Sequence, residues 1–119
     1  MVSETTSSRR LFTRTEAERM LPLVRSIVRD LVGNHRALAD RLTLYERVVE
    51  TRRREAAPPG GLEPRSAEIE ALHAELLGNL RELERLGLVC RDPDRGVVEF
   101  PAGAGPLTWS FGDERVSGN

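Results

Sequence analysis

Eight side chains, Val24, Val28, Leu31, His35, Leu38, Leu42, Tyr45 and Val49, step along the chain by alternating four and three residues. That spacing keeps one face of an α-helix toward a partner for more than three heptads. It stops where Arg52-Arg53-Arg54 brings positive charge to the negative end of the helix dipole and Ala57-Pro58-Pro59-Gly60-Gly61 forbids continuation. A second run, Ile69, Leu72, Leu76, Asn79, Leu83 and Leu86, repeats the three and four steps until Gly87 offers a C-cap. Two apolar stripes of one period on either side of a Pro-Gly break predict a long antiparallel, coiled-coil-like helical hairpin.

The start of the first helix is written locally. Thr13-Arg14-Thr15-Glu16 is a capping box, with Thr13 as the cap and Glu16 returning to its amide. Pro22 is too deep for a first turn; it removes a bond to the Glu18 carbonyl, and a kink is expected near Leu21. The expected boundaries are a disordered tail over 1–11 and one domain over 12–113. Within it we expect a helix over 14–54 kinked near 21, a loop over 55–63, a helix over 64–86 with Pro64 in its first turn, and a β-unit over 88–111. Residues 114–119 read as a second tail.

In the β-unit, Leu88-Val89-Cys90 and Val97-Val98-Glu99-Phe100 flank Asp92-Pro93-Asp94-Arg95-Gly96, which has hairpin-loop chemistry. Leu107-Thr108-Trp109-Ser110-Phe111 alternates with period two as a third strand, which would put Leu107, Trp109 and Phe111 on one face. The fold class is therefore α+β, mainly α: the hairpin followed by a small antiparallel unit of two to three strands.

The register about the loop is expected to set Val49 near Ile69, Tyr45 near Leu72, Leu42 near Leu76 and Leu31 near Leu86. The first helix then outruns the second. Leu21, Val24, Ile27 and Val28 are left as an apolar face that needs a cover, which either the β-unit, through Leu107, Trp109 and Phe111, or a second copy would supply; in the leading reading they form the expected partner surface of a homodimer. His35 and Asn79 occupy polar positions of the two stripes, where such residues fix register.

Composition removes several classes of function. The chain of 119 residues has 39% hydrophobic residues, five of them aromatic, which points to one domain with a Leu/Val core. Its formal net charge is −1, so no overall field draws it to nucleic acid or membrane. All eighteen basic residues are arginine, which excludes Schiff-base lysines and a P-loop lysine. Cys90 is the single cysteine, so there is neither an internal disulfide nor a zinc motif, and a reducing compartment is expected. Residues 1–10 lack the apolar run of a signal peptide and no stretch is long and apolar enough to span a bilayer, so a cytoplasmic location without membrane contact is expected.

The candidate chemistry is sparse. Arg52-Arg53-Arg54 with Arg47 would meet phosphates, yet Glu46, Glu50 and Glu55 intersperse them and no aromatic residue offers a stacking surface, which disfavours nucleic acid. Asp92, Asp94 and Glu99 lack the further ligands of a calcium loop and are explained by turn bonding and an outward strand position. Cys90 has no activating histidine nearby, and His73 is expected to face solvent. Neither a nucleophile elbow nor a glycine-rich phosphate loop occurs, so no catalytic residue, metal ligand or cofactor is assigned.

Phe12-Thr13 with Glu16-Ala17 and Leu21-Pro22, then Asp92 with Arg95-Gly96-Val97-Val98-Glu99-Phe100-Pro101, then Leu107 and Trp109 with Gly112-Asp113, together resemble the bacterial domain of unknown function family 2203. The resemblance covers Phe12 to Asp113 and implies a fold, since that family carries no assigned activity. The sequence departs from it at Thr108, where a cysteine before the tryptophan is usual, and it ends at Asn119 before the usual Trp-His and basic, glycine-containing tail. The expected function is a non-enzymatic, self-associating interaction module. Two alternatives are a small-ligand or metal-binding protein, with a site between the helix start and the β-unit where Met20, Phe100 and Trp109 converge, and a weak nucleic-acid binder acting through Arg52-Arg54.

Overall fold

The computed structural model describes residues 10–56 and 63–118. Helix α1 spans Arg14–Arg54 and helix α2 spans Glu63–Arg85; the strands are β1 Val89–Asp92, β2 Val97–Phe100, β3 Leu107–Ser110 and β4 Ser117–Gly118. The Pro-Gly connection over 57–62 and the tail residues 1–9 lie outside the described residues.

The capping box at Thr13 is complete: Glu16 N donates to Thr13 Oγ1 at 3.1 Å and Thr13 N donates to Glu16 Oε1 at 2.9 Å. α1 continues through Pro22, which is exposed. α2 ends in a Schellman motif, with Gly87 at φ +89°, Leu88 N donating to the Leu83 carbonyl and Gly87 N to the Glu84 carbonyl.

The two helices lie antiparallel in a register set by Asn34 against Asn79, whose amides are hydrogen-bonded at 2.8 Å, and by an ion pair of Arg41 with Glu68 at 3.2 Å. The expected register placed Asn79 about one turn further along α1, level with Leu38. Heptads look alike after a shift of three or four residues, so the stripe defines the face and leaves the turn open.

The sheet is an antiparallel meander in the order β1-β2-β3-β4. Its inner face sets Val98 opposite Trp109 and Phe100 opposite Leu107, all fully buried or nearly so. These side chains join Ala17, Val24, Val28 and Leu31 of α1 and Leu83 of α2 in one core cluster. The sheet thus covers the part of α1 that α2 does not reach. The close approach is fixed at Gly96, φ +71°, where an added Cβ would lie 2.7 Å from Val28 Cγ1 and 2.9 Å from Val32 Cγ2.

Two expectations about the β-unit are corrected. Residues 114–118 are no tail: Val116 is buried at 4% exposure and Ser117 and Gly118 pair with Thr108 and Leu107 as a fourth strand. Phe111 does not share the buried face of Leu107 and Trp109, because β3 ends at Ser110 and the turn at Gly112 (φ +104°) carries Phe111 out to 43% exposure. It instead meets Trp109 edge-on, with ring centroids 6.3 Å apart.

Candidate functional site

The expected partner surface is buried inside the chain itself. Leu21, Val24, Ile27 and Val28 have 2%, 0%, 6% and 0% exposure, because the sheet lies over them, and no second copy can reach them in the folded domain. Besides Leu11, Leu23, Leu77, Val89 and Phe111, large apolar side chains remain in solvent farther along α1. Leu42, Leu44 and Val49 are 41%, 44% and 37% exposed along the second half of α1. There the hairpin extends past the sheet as a two-helix arm, and two helices alone cannot enclose a seam on all sides.

His35 and Asn79, the polar residues of the two stripes, do not meet; Asn79 is bonded to Asn34. One residue along a helix is a rotation of about 100°. Asn34 therefore faces α2 and takes Asn79, while His35 turns toward the β1–β2 loop. There His35 Nδ1 is 3.8 Å from Asp94 Oδ1, beyond hydrogen-bond reach, and has no hydrogen-bond partner among the described residues.

The polar pair sits in the floor of a cleft of about 720 Å³ on the flank of the hairpin, and no sheet residue lines it. Gly33 and Gly78, each immediately before one of the asparagines, leave its floor open: an added Cβ at either would meet no heavy atom within 4 Å. Its walls carry Asp30, Glu75 and Glu82 against the single guanidinium of Arg29. Three carboxylates facing one cation make the cleft acidic. The dipeptide Gly-Asn at both 33–34 and 78–79 is the sequence signal for this site, visible once the two copies are set level.

The remaining candidates are accounted for by local structure. Asp92 Oδ1 accepts from the amides of Asp94 and Arg95, at 3.0 and 3.2 Å, as an Asx-type turn. Glu99 is bound by Arg91 at 3.0 Å, and this partner raises the guanidinium pKa. Burial pushes the Cys90 thiol up. Trp109 and Phe100 are fully enclosed, and Met20 packs against the same core, so side chains fill the point where these three converge, while a cleft lined by Arg14, Thr15, Glu18, Arg19 and Arg115 opens beside the helix start. Arg53 and Arg54 both pair with Glu50 at the end of α1, and His73 is exposed.

A second polar arrangement holds the fourth strand. Arg14, Glu18 and Arg25 share one face of α1 and all reach the chain over 114–118. Arg14 donates to the carbonyls of Val116 and Gly118, Glu18 Oε2 accepts from Val116 N at 2.9 Å, and Arg25 donates to the Glu114 carbonyl at 3.1 Å. Among the described residues no helix is long and apolar enough to cross a membrane, and no cluster of three or more metal-ligating side chains occurs.

Comparison with known families matches residues 10–118 to the family described as "Uncharacterized conserved protein (DUF2203)". No curated protein and no solved structure matches the chain.

Proposed function

The chain belongs to that family of uncharacterised conserved proteins, and from this premise we propose that it acts as a non-enzymatic, cytoplasmic interaction module that self-associates through its two-helix arm. The observation that carries the reading is the exposure of Leu42, Leu44 and Val49 on a hairpin whose other half is enclosed by the sheet. A pair of helices with large apolar side chains in water gains free energy by packing on a second pair, at about 25 cal/mol per Å² of apolar surface removed. The face moves from the start of α1, which the protein covers itself, to the arm, whose Leu42, Leu44 and Val49 are not covered by any of the described residues.

The test is native mass spectrometry with sedimentation velocity on the full-length protein. A dimer is expected, and Leu44→Glu is expected to return it to monomer with its helical circular dichroism intact. A wild-type monomer at tens of micromolar would overturn the reading.

A further inference from the structure

We infer that the cleft beside the start of α1 is a binding site for a small phosphate-bearing molecule, held by Arg14, Arg19 and Arg115. The site lies at the far end of α1 from the arm and uses none of the arm's residues, so it stands or falls apart from self-association.

The cleft has a volume of about 400 Å³ and is lined by Arg14, Thr15, Glu18, Arg19 and Arg115. Arg14 with Glu18, and Thr15 with Arg19, are four residues apart and form two adjacent ridges on the first turns of α1. Arg115 comes from the other end of the chain. It is brought to these ridges by its neighbour Val116, whose carbonyl is bound by Arg14 and whose amide is bound by Glu18.

Three guanidinium groups against one carboxylate leave the cleft positive in a chain whose formal net charge is −1. That carboxylate is already engaged, since Glu18 Oε2 accepts from Val116 N at 2.9 Å. Arg41, Arg53, Arg54 and Arg91 each meet a carboxylate of the chain itself. The Arg19 and Arg115 guanidinium groups, by contrast, make no hydrogen bond or ion pair with any described residue. Arg14 is fixed in place by donating to the Val116 and Gly118 carbonyls, and a guanidinium has further N–H groups to offer. An anion in the cleft therefore meets one preset guanidinium and two uncommitted ones.

Phosphate suits this set better than a single carboxylate does. A phosphate monoester carries close to two negative charges at neutral pH, and its oxygens accept from guanidinium forks in pairs. The volume is that of a small-molecule site. No aromatic side chain lines it, so a nucleic-acid base has no stacking surface there.

The test is isothermal titration calorimetry of the full-length protein at physiological ionic strength, with pyrophosphate and inorganic phosphate as probes. Saturable binding of one pyrophosphate per chain is expected, tighter than that of inorganic phosphate. Arg19→Ser with Arg115→Ser is expected to weaken it about tenfold or more, with thermal unfolding of the unliganded protein unchanged because neither side chain holds the fold. Arg36→Ser with Arg47→Ser removes the same charge farther along α1, beyond the screening length, and is expected to leave binding as it is. Equal loss in both double variants would show a diffuse field in place of a site, and absence of saturable uptake by the wild-type chain would remove the site; either overturns the inference. A short DNA duplex bound more tightly than pyrophosphate through the same arginines would overturn the small-molecule class. Hydrogen exchange gives an independent readout: Arg14 both lines the cleft and holds the Val116 carbonyl, so pyrophosphate is expected to slow exchange at Val116. Binding that leaves Val116 unchanged would put the ligand elsewhere and overturn the assignment.

Discussion

Asn34 and Asn79 join the two helices by one amide–amide hydrogen bond of 2.8 Å, each following a glycine, at the level where the hairpin passes from the core to the arm. Seam leucines repeat along both helices and tolerate a slip of one turn, but this bond has a single register in which it forms. Asn79→Leu leaves the Asn34 amide without its partner in a half-buried setting and is expected to cost about 1–2 kcal/mol in urea unfolding. The double change Asn34→Leu with Asn79→Leu is expected to recover most of that loss, because neither polar group is then stranded.

Gly96 carries a larger penalty. With φ at +71° and contacts below 3 Å waiting for a Cβ from Val28, Val32 and Phe111, Gly96→Ala combines a left-handed backbone with overpacking against a helix. The expected destabilisation is about 2–4 kcal/mol. Gly33→Ala, with open space and helical backbone, is the control, and it is expected to be neutral or slightly stabilising in the same thermal unfolding experiment.

Glu18 gives a local readout. Its carboxylate receives the Val116 amide, so Glu18→Ala is expected to release β4 without melting the hairpin. Hydrogen exchange measured residue by residue is expected to show faster exchange at Val116, with Val98 and Trp109 unchanged. Equal acceleration throughout the sheet would mean that β4 and the inner strands open together.

Cys90 predicts an alkaline trend. Burial raises its thiol pKa in the folded chain, so the folded state holds its proton more firmly than the unfolded chain does. The associated stability is complete below the ordinary thiol value and is lost as pH rises through the raised folded value. Cys90→Ser is expected to reduce this alkaline loss, and Cys90 is expected to react slowly with iodoacetamide at neutral pH until denaturant is added.

How far the sequence is legible depends on the range of the interaction. Thr13 with Glu16 and Asp92 with the amides of Asp94 and Arg95 are contacts within a turn, and residue types two or three apart announce them. The hairpin and the three strands follow from periodicity, which is also local. The register differs from the expected one by about a turn because periodicity alone does not choose between heptads, and residue type alone does not say that Asn34 rather than His35 turns toward α2. β4 lacks alternation altogether: Ser117 and Gly118 are a strand because Thr108 and Leu107 pair with them, while Arg14, Glu18 and Arg25 hold the segment leading into it. The same distance in sequence left the cover of Val24 and Val28 open between the strands and a second copy, since the strands begin about seventy residues later.

The clasp between the first turns of α1 and the 114–118 segment also orders events during synthesis. Arg14 and Val116 are 102 residues apart, so α1 emerges from the ribosome, coils and displays Leu21, Val24 and Val28 well before the strands that shelter them have been translated. A nascent chain in that state is a sticky helix in search of a lid. The clasp closes only once residues 114–118 have been made and are free to fold back, and a ribosome stalled short of residue 116 holds a chain whose helices are finished and whose core is still open.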